Sequence, residues 1–429
     1  MVDDKQGPPT QTVNIRRWLA VGLILSTIII WVINFATLIN NDYLYFPSRP
    51  RGIDDRMRAI QKEIMISKNR VEDRSKAMDI LNYTKLSKNT KPKVILVYTE
   101  FFKEKVWSIL NSSEVFNQWN GVKCPYFQCR LTYDHSEFLA SDAVLFHAFE
   151  MPGTFALANL KKHKPKHQKW VYFGLENPDN NPKAVGLDNY FHWTLNYRRD
   201  SHFFFPYGYY YPISDYGDGR GPNAEINLRY KDKFVVWAVS HCDLPRDKYV
   251  RKLMQYIPID IYGQCAVKFT DKPTGECKPN SPQCDELKRR YKFQLAFENS
   301  NCVDYITEKY WGAVEMGIVP VVLGGSSYGK RLAVPGSFIN VMDFKTVKDL
   351  ANHLKYLDEN DEAYMKYFQW RRRYKVGPSG PWTCAMCAAL NMNTKTVPIE
   401  KLDDYWSSKR QCGVMDKKIA QIIRNTKSN

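Results

Sequence analysis

Between residues 297 and 311 the chain reads FENSNCVDYITEKYW: two glutamates, two asparagines, an aspartate and a lysine in fifteen positions. The flanking stretches, YKFQLAF before and IVPVVLGG after, are nearly apolar. Glu308 and Lys309 stand together in this cluster, a cation and a carboxylate at what reads as the first turn of a helix. The spacing predicts a buried strand over KFQLAF, a loop over FENSNCVDY, and a helix from Glu308 to Met316 capped by Thr307 and stopped by Gly317. IVPVVLG then returns as the next strand. In open α/β sheets ligands sit beyond the carboxyl ends of the strands, and a helix N-terminus there suits a phosphate. The cluster therefore lies where a nucleotide would bind. An ordinary solvated loop is the plainer reading, but it leaves Glu308 and Lys309 at that first turn unexplained.

The elements needed to position such a site recur along the chain. KVILVYT (93–99), DAVLFHAF (142–149), KWVYFGLE (169–176) and FHWTLNY (191–197) read as short buried strands separated by helix-capable stretches. The turn-rich segment 206–223 reads as an interdomain linker. A second series follows, with strands at 233–240, 259–263, 292–297, 318–324 and 338–344, a helix near 246–256 and helices across 346–374. The expected fold is α/β, two Rossmann-like domains facing across a cleft. Their bounds are 91–222 for the first domain and 223–390 for the second, which carries the nucleotide cluster; 391–429 is left as a tail.

Residues 18–39, WLAVGLILSTIIIWVINFATLI, carry no charge and can span a bilayer as a helix. Lys5, Arg16 and Arg17 precede it, which puts a short tail (1–17) in the cytosol and the rest in a lumen, with 40–90 as a stem. A cleaved signal peptide would have a shorter apolar core and a small-residue cleavage site. In an oxidising lumen the ten cysteines are expected to form disulfides rather than remain thiols. The triplets at Asn82 and Asn111 are N-glycosylation acceptors suited to that compartment. The formal charge of +17 points to an anionic partner, and the anchor argues against nucleic acid in favour of a small anion such as a nucleotide.

The stretch FENSNCVDYITEKYW with VPVVLGG resembles the donor-binding signature of the α1,3-fucosyltransferases, glycosyltransferase family 10. YFGLENP, TLNYRRDS, PYG, KFVVWAVSHC, IDIYG, YFQWRRRY and CAMC extend the likeness over about residues 91–390. The resemblance implies a GT-B fold in a single-pass Golgi membrane protein with a lumenal catalytic part. It also implies fucose transfer from GDP-fucose to the 3-hydroxyl of N-acetylglucosamine on glycoprotein N-glycans, with inversion. On that likeness Glu176, in GLENP, is the catalytic base, with Glu150 as its rival at the end of the preceding strand. Arg246 holds the pyrophosphate, and Asn299, Tyr305, Glu308 and Lys309 contact the donor, while Glu298 is either a neighbour of the site or structural. Taken alone, Glu176 would read as an ordinary strand-end carboxylate and Arg246 as a surface arginine.

No D-x-D stands where a manganese-dependent transferase would need one, so no metal is expected to be obligatory, a divalent cation such as Mn2+ being at most stimulatory. Asp403 and Asp404 read as a solvated pair and the RRRYK run at 371–375 as a solvated helix face. Cys124, Cys129, Cys384 and Cys387 could be a zinc site; the family likeness implies disulfides joining the first two to the C-terminal C-x-x-C. The three-cysteine loop 264–284 resembles the invertebrate and plant branch, and leans the acceptor to the N-glycan core over an outer Lewis-type or LacdiNAc-type arm. Gly325 departs from the Pro or Ala common in the family. Two other functions compete: a glycan-binding protein of the same fold without catalysis, and a tethered protein whose basic surface binds anionic glycans.

Overall fold

A computed structural model describes residues 91–426, apart from 120–121, 125, 127, 182–183, 213–225, 272–274, 276, 279–280, 330–331, 378–380 and 393–395. All of these belong to one compact unit, Gly52–Asn429. The anchor segment 18–39, the stem and Asn82 lie outside the described residues; among those described, no helix is long and apolar enough to cross a membrane.

The first sheet is built from β1 (Lys93–Val97), β4 (Cys129–Thr132), β5 (Ala143–His147), β6 (Lys169–Gly174), β7 (Trp193–Asn196) and β8 (Phe203–Phe204); a small hairpin, β2 (Gln118–Trp119) with β3 (Val122–Lys123), precedes β4. Its order is β4-β1-β5-β6-β7-β8 and every pairing is parallel. Helix α1 (Thr154–His163) follows β5. Strand β9 (Tyr209–Pro212) begins the connection to the second sheet.

That sheet comprises β10 (Lys233–Ala238), β11 (Asp260–Tyr262), β12 (Tyr291–Phe297), β13 (Val319–Leu323) and β14 (Ile339–Asn340), all parallel, in the order β11-β10-β12-β13-β14. Its crossovers carry α2 (Pro245–Leu253), α3 (Pro282–Arg289) and α4 (Glu308–Met316), with α5 (Val347–Glu359) and α6 (Asp361–Met365) after β14. Strand β12 is buried along its whole length, as an apolar run covered on both faces requires. Strand β10 shows why: Val235 and Trp237 face α2 and α5, while Val236 faces the opposite layer with Tyr262, Tyr291 and Cys284. Each such fully buried aliphatic side chain contributes about 1.5–3 kcal/mol relative to exposure.

The doubly wound α/β reading therefore holds. Several local expectations change. Only Ile339 and Asn340 of FINVMDF are strand, and a 3-10 turn follows. The linker is not all turn, because β9 pairs antiparallel with β15 (Tyr374–Gly377). The basic run is not one solvated helix face: it is split between a 3-10 turn ending at Arg372 and β15. Within it, Arg371 lies over the Trp370 ring and donates to the Val314 carbonyl at 2.7 Å, so it caps the end of α4. Asp404 is ion-paired with Arg410 at 2.8 Å rather than merely solvated.

The chain then doubles back. Helix α7 (Trp382–Asn391) packs Trp382, Ala385, Met386 and Ala389 into the core of the first sheet. Beyond it, α8 (Leu402–Tyr405), α9 (Ser408–Gln411) and α10 (Asp416–Asn425) form a structured end rather than a loose tail.

All ten cysteines are paired: Cys124–Cys384, Cys129–Cys387, Cys242–Cys265, Cys277–Cys284 and Cys302–Cys412. The first two fasten α7 to the first domain and replace the zinc alternative. Protein expressed through a secretory pathway and denatured without reductant is expected to show few or no reactive thiols. Recovery of Cys384 and Cys387 as free thiols with stoichiometric zinc would overturn the pairing.

Candidate active site

The order of the second sheet reverses between β10 and β12, since the chain goes from β10 to β11 on one side and then crosses to β12 on the other. A crevice at that reversal, beyond the strand ends, is where doubly wound sheets bind ligands. Arg246 lies there. Pro245 opens α2, and Arg246 follows in its first turn, 4% exposed. It donates from Nη1 to the carbonyl of Phe297, the last residue of β12, at 2.6 Å and from Nη2 to the His241 carbonyl at 3.0 Å. The surface placement expected of an arginine taken alone gives way to a buried cation spanning the reversal. Its Nε has no partner among the described residues. Burial pulls the guanidinium pKa down, and the nearby Glu298 and Asp247 oppose that.

The loop after β12 leads into α4 as the spacing predicted. Thr307 is the N-cap, α4 runs from Glu308 to Met316, and Gly317 closes it at φ 71°, a left-handed conformation that a side chain would strain. Glu298 settles as a structural group. It is 1% exposed and accepts from the Thr307 N–H and hydroxyl, both at 2.8 Å. Burial raises its pKa, with the Lys309 charge pulling the other way. Lys309 Nζ lies 3.0 Å from Glu308 and 3.5 Å from Glu298. Burial disfavours the Lys309 ammonium, but those two carboxylates outweigh it and hold its pKa above the usual value. Two N–H groups at the start of α4 are already committed, Thr307 to Glu298 and Lys309 to the Thr307 hydroxyl at 3.4 Å. An anion here would rely on the two cationic side chains more than on the helix end.

Strand β6 ends at Gly174, short of the expected 169–176, and Glu176 meets this loop from two residues beyond the strand end. The Tyr305 hydroxyl, on a side chain 1% exposed, donates to Glu176 Oε2 at 3.2 Å, and Asn180 Nδ2 donates to the same oxygen at 3.3 Å. Asn177 Nδ2 donates to Asn299 Oδ1 at 3.3 Å. The ring of Tyr305 packs between Tyr197 and Tyr207, at centroid distances of 5.0 and 6.0 Å. Burial lifts the Tyr305 phenol well above its ordinary pKa, so it donates and does not ionise near neutrality. Glu150 is placed differently. It is hydrogen-bonded to the buried His147 Nδ1 of its own sheet.

The arrangement brings together Glu176, Tyr305, Asn299, Arg246, Glu308 and Lys309, and leaves Glu150 on its own sheet. Asn111 lies apart, exposed, after the first 3-10 turn. Sequence reasoning passed over Asn177 and Tyr207, although both lie in motifs it had singled out; Tyr207 donates to the Leu175 carbonyl at 2.9 Å. It also passed over the ion pair of Arg199 with Asp304, 3.1 Å, which joins the first domain to the loop.

A half-buried carboxylate held by Tyr305 to the loop that leads to Lys309 can accept a proton, and relatives bear on which reaction that is. The family profile "Fucosyltransferase, N-terminal" matches residues 90–208, and "Glycosyltransferase family 10 (fucosyltransferase) C-term" matches 228–405. The human 4-galactosyl-N-acetylglucosaminide 3-alpha-L-fucosyltransferase FUT5 is 38% identical over 265 residues, 61% of this chain and 67% of that protein.

The chain belongs to glycosyltransferase family 10, the fucosyltransferases.

The Bos taurus 3-galactosyl-N-acetylglucosaminide 4-alpha-L-fucosyltransferase FUT3 is 35% identical to this fucosyltransferase over 302 residues, 70% of this chain and 76% of that one. A solved structure, "Crystal Structure of alpha1,3-Fucosyltransferase with GDP-fucose", is 18% identical with a TM-score of 0.41, covering 68% of this chain and 86% of that one. A likeness that loose adds no weight to the assignment.

Proposed function

We propose that the protein is an inverting α1,3-fucosyltransferase that moves fucose from GDP-fucose to the 3-hydroxyl of N-acetylglucosamine on glycoprotein N-glycans. The observation that carries the reading is the hydrogen bond from Tyr305 to Glu176, which holds the proposed base against the proposed donor loop. In the reaction the acceptor O3 attacks the fucose anomeric carbon from the Glu176 side as its proton passes to the carboxylate. The bond from that carbon to the β-phosphate oxygen breaks, and its electron pair leaves with GDP. Lys309 and Arg246 face the growing phosphate charge, while Glu308 and Asn299 take sugar hydroxyls. A positioned base is worth roughly 10²–10⁴ in rate, and pre-placed charge acts most strongly where water is excluded.

No metal is needed in this reading, because the two cations take its part. Activity is expected to persist in excess EDTA and to change only modestly with added Mn2+. Complete loss in chelator, restored by manganese, would replace the two-cation account with a metal-assisted one.

The segment 18–39 is proposed to anchor the enzyme in the Golgi membrane as a single-pass type II protein with the catalytic part in the lumen. Five disulfides among the described residues favour that oxidising compartment. Asn82 and Asn111 are its proposed glycosylation sites.

The finer proposal for the acceptor is the innermost N-acetylglucosamine of the N-glycan. The Cys242–Cys265 bond ties the start of the 264–284 loop to the turn after β10, and the Cys277–Cys284 bond closes the loop's far end on itself; a loop held in this way suits a core close to the polypeptide. An outer N-acetylglucosamine is the second reading. It is favoured by the names of the relatives, which act on galactosyl-N-acetylglucosaminides. Incubation with GDP-fucose and an N-glycan panel tests both. Mass spectrometry after stepwise exoglycosidase trimming should leave the added deoxyhexose on the core; fucose released with the antennae would assign the outer arm. No transfer at all to any N-acetylglucosamine would sink the function itself.

A further inference from the structure

The loop between β12 and α4 is gripped at its far side by a part of the chain that follows the family match, which ends at residue 405. Three bonds make the grip. Cys302 is disulfide-bonded to Cys412. The Val303 N–H donates to the Gln411 carbonyl at 2.8 Å. Asn301 Nδ2 donates to Asp416 Oδ1 at 2.5 Å.

The gripping segment is itself fixed at both ends. Upstream, Trp406 is buried against the first sheet and donates from Nε1 to the Asn181 carbonyl at 3.1 Å. Downstream, Ile419 and Ile422 of α10 enter the core of the second sheet, the core to which α2, the helix bearing Arg246, also contributes. On its other side the loop is pressed against the turn after β13. A Cβ added at Gly325 would lie 2.3 Å from both the carbonyl carbon and the oxygen of Asn301, so the absence of a side chain at this glycine is what permits the close approach.

We infer that residues 406–426 are a strap that positions the donor loop, with Cys412 and Asp416 as positioning residues acting through Cys302 and Asn301. The strap and Gly325 together fix the backbone at 301–303. The residues on either side, Asn299 and Tyr305, then reach Asn177 and Glu176 across the cleft. The inference rests on the donor-site reading above and concerns only how the loop is held. Neither strap residue touches the reacting atoms. Their loss should therefore act on donor binding before it acts on chemistry.

The test uses the full chain in detergent and follows three quantities: GDP affinity, the KM for GDP-fucose and the KM for the acceptor glycan. The variants are Cys302→Ser with Cys412→Ser together, so that no lone thiol remains, and Asp416→Ala with Asp416→Asn as the conservative comparison. Lys309→Ala reports on the donor site itself. The double serine variant is expected to raise the donor KM about tenfold or more, since misplacement by an ångström is costly in such sites. Asp416→Ala should raise it less, Asp416→Asn should restore it because the acceptor oxygen remains, and the acceptor KM should stay put. Should the double variant fail to fold, the Asp416 pair decides alone.

Donor KM and GDP affinity within about twofold of the parent in Asp416→Ala, while Lys309→Ala weakens GDP binding, would reduce the strap to a simple staple. Donor and acceptor KM rising together would indicate general loosening and also overturn the proposal. Unchanged GDP affinity in Lys309→Ala would remove the donor-site reading, and the strap's role with it.

Discussion

Glu176→Gln is expected to bind GDP within about threefold of the parent while transfer falls by roughly 10²–10⁴, the usual worth of a positioned general base. The amide keeps the size of the side chain and an oxygen to accept from the Tyr305 hydroxyl, so the contact between the two domains survives. What it cannot do is take the proton from the acceptor hydroxyl. The split between intact binding and lost turnover is the informative result, measured by GDP titration alongside single-turnover transfer. Near-parental turnover would clear Glu176 and move attention to Glu150, which His147 already orients.

Lys309→Ala should damage both binding and chemistry. A charge-assisted contact to phosphate is worth about 1.5–3 kcal/mol, so GDP affinity should fall by about 10- to 150-fold. Removing one stabiliser of developing charge should also cost kcat about 10²–10³. Part of the effect comes from within the protein, because Lys309 sits between Glu298 and Glu308. Without it, buried Glu298 loses its counter-charge and is driven further toward its protonated form. The damage should therefore ease somewhat as pH is lowered toward the range where Glu298 gains a proton. GDP affinity indistinguishable from the parent, together with parental kcat, would mean that Lys309 faces no phosphate.

The sequence announced α4 well because its signals are local. Thr307 caps, Gly317 takes a left-handed conformation, and nine helical residues lie between them. The buried strands were equally plain, since runs such as YKFQLAF have no polar side to expose. The burial of Arg246 was not legible. Its partner is a carbonyl 51 residues away, and an arginine in a helix otherwise prefers water. Nor could spacing show that Tyr305 meets Glu176 across a separation of 129 residues, although the family likeness had named both. The role of the chain's last forty residues was hidden for a related reason. Short helices such as α8 and α9 carry too little periodicity to reveal what they pack against. The pairing of Cys302 with Cys412 has no signature in the spacing of cysteines.

Helix α7 has a consequence for the order in which the molecule can be made. Cys124 and Cys129 find their partners 260 and 258 residues later. At about 5–20 residues per second, synthesis leaves roughly tens of seconds during which the first sheet emerges without the helix that covers one of its faces. Throughout that interval two thiols stand open while Cys242, Cys265, Cys277, Cys284 and Cys302 arrive in turn, each able to form a wrong bond. A ribosome that stops before residue 382 does not release a free first domain with the second one missing. It releases a sheet with an uncovered apolar face and two unpaired thiols. The two sheets of this enzyme are thus interdependent in biogenesis, and the first to be translated is among the last to be finished.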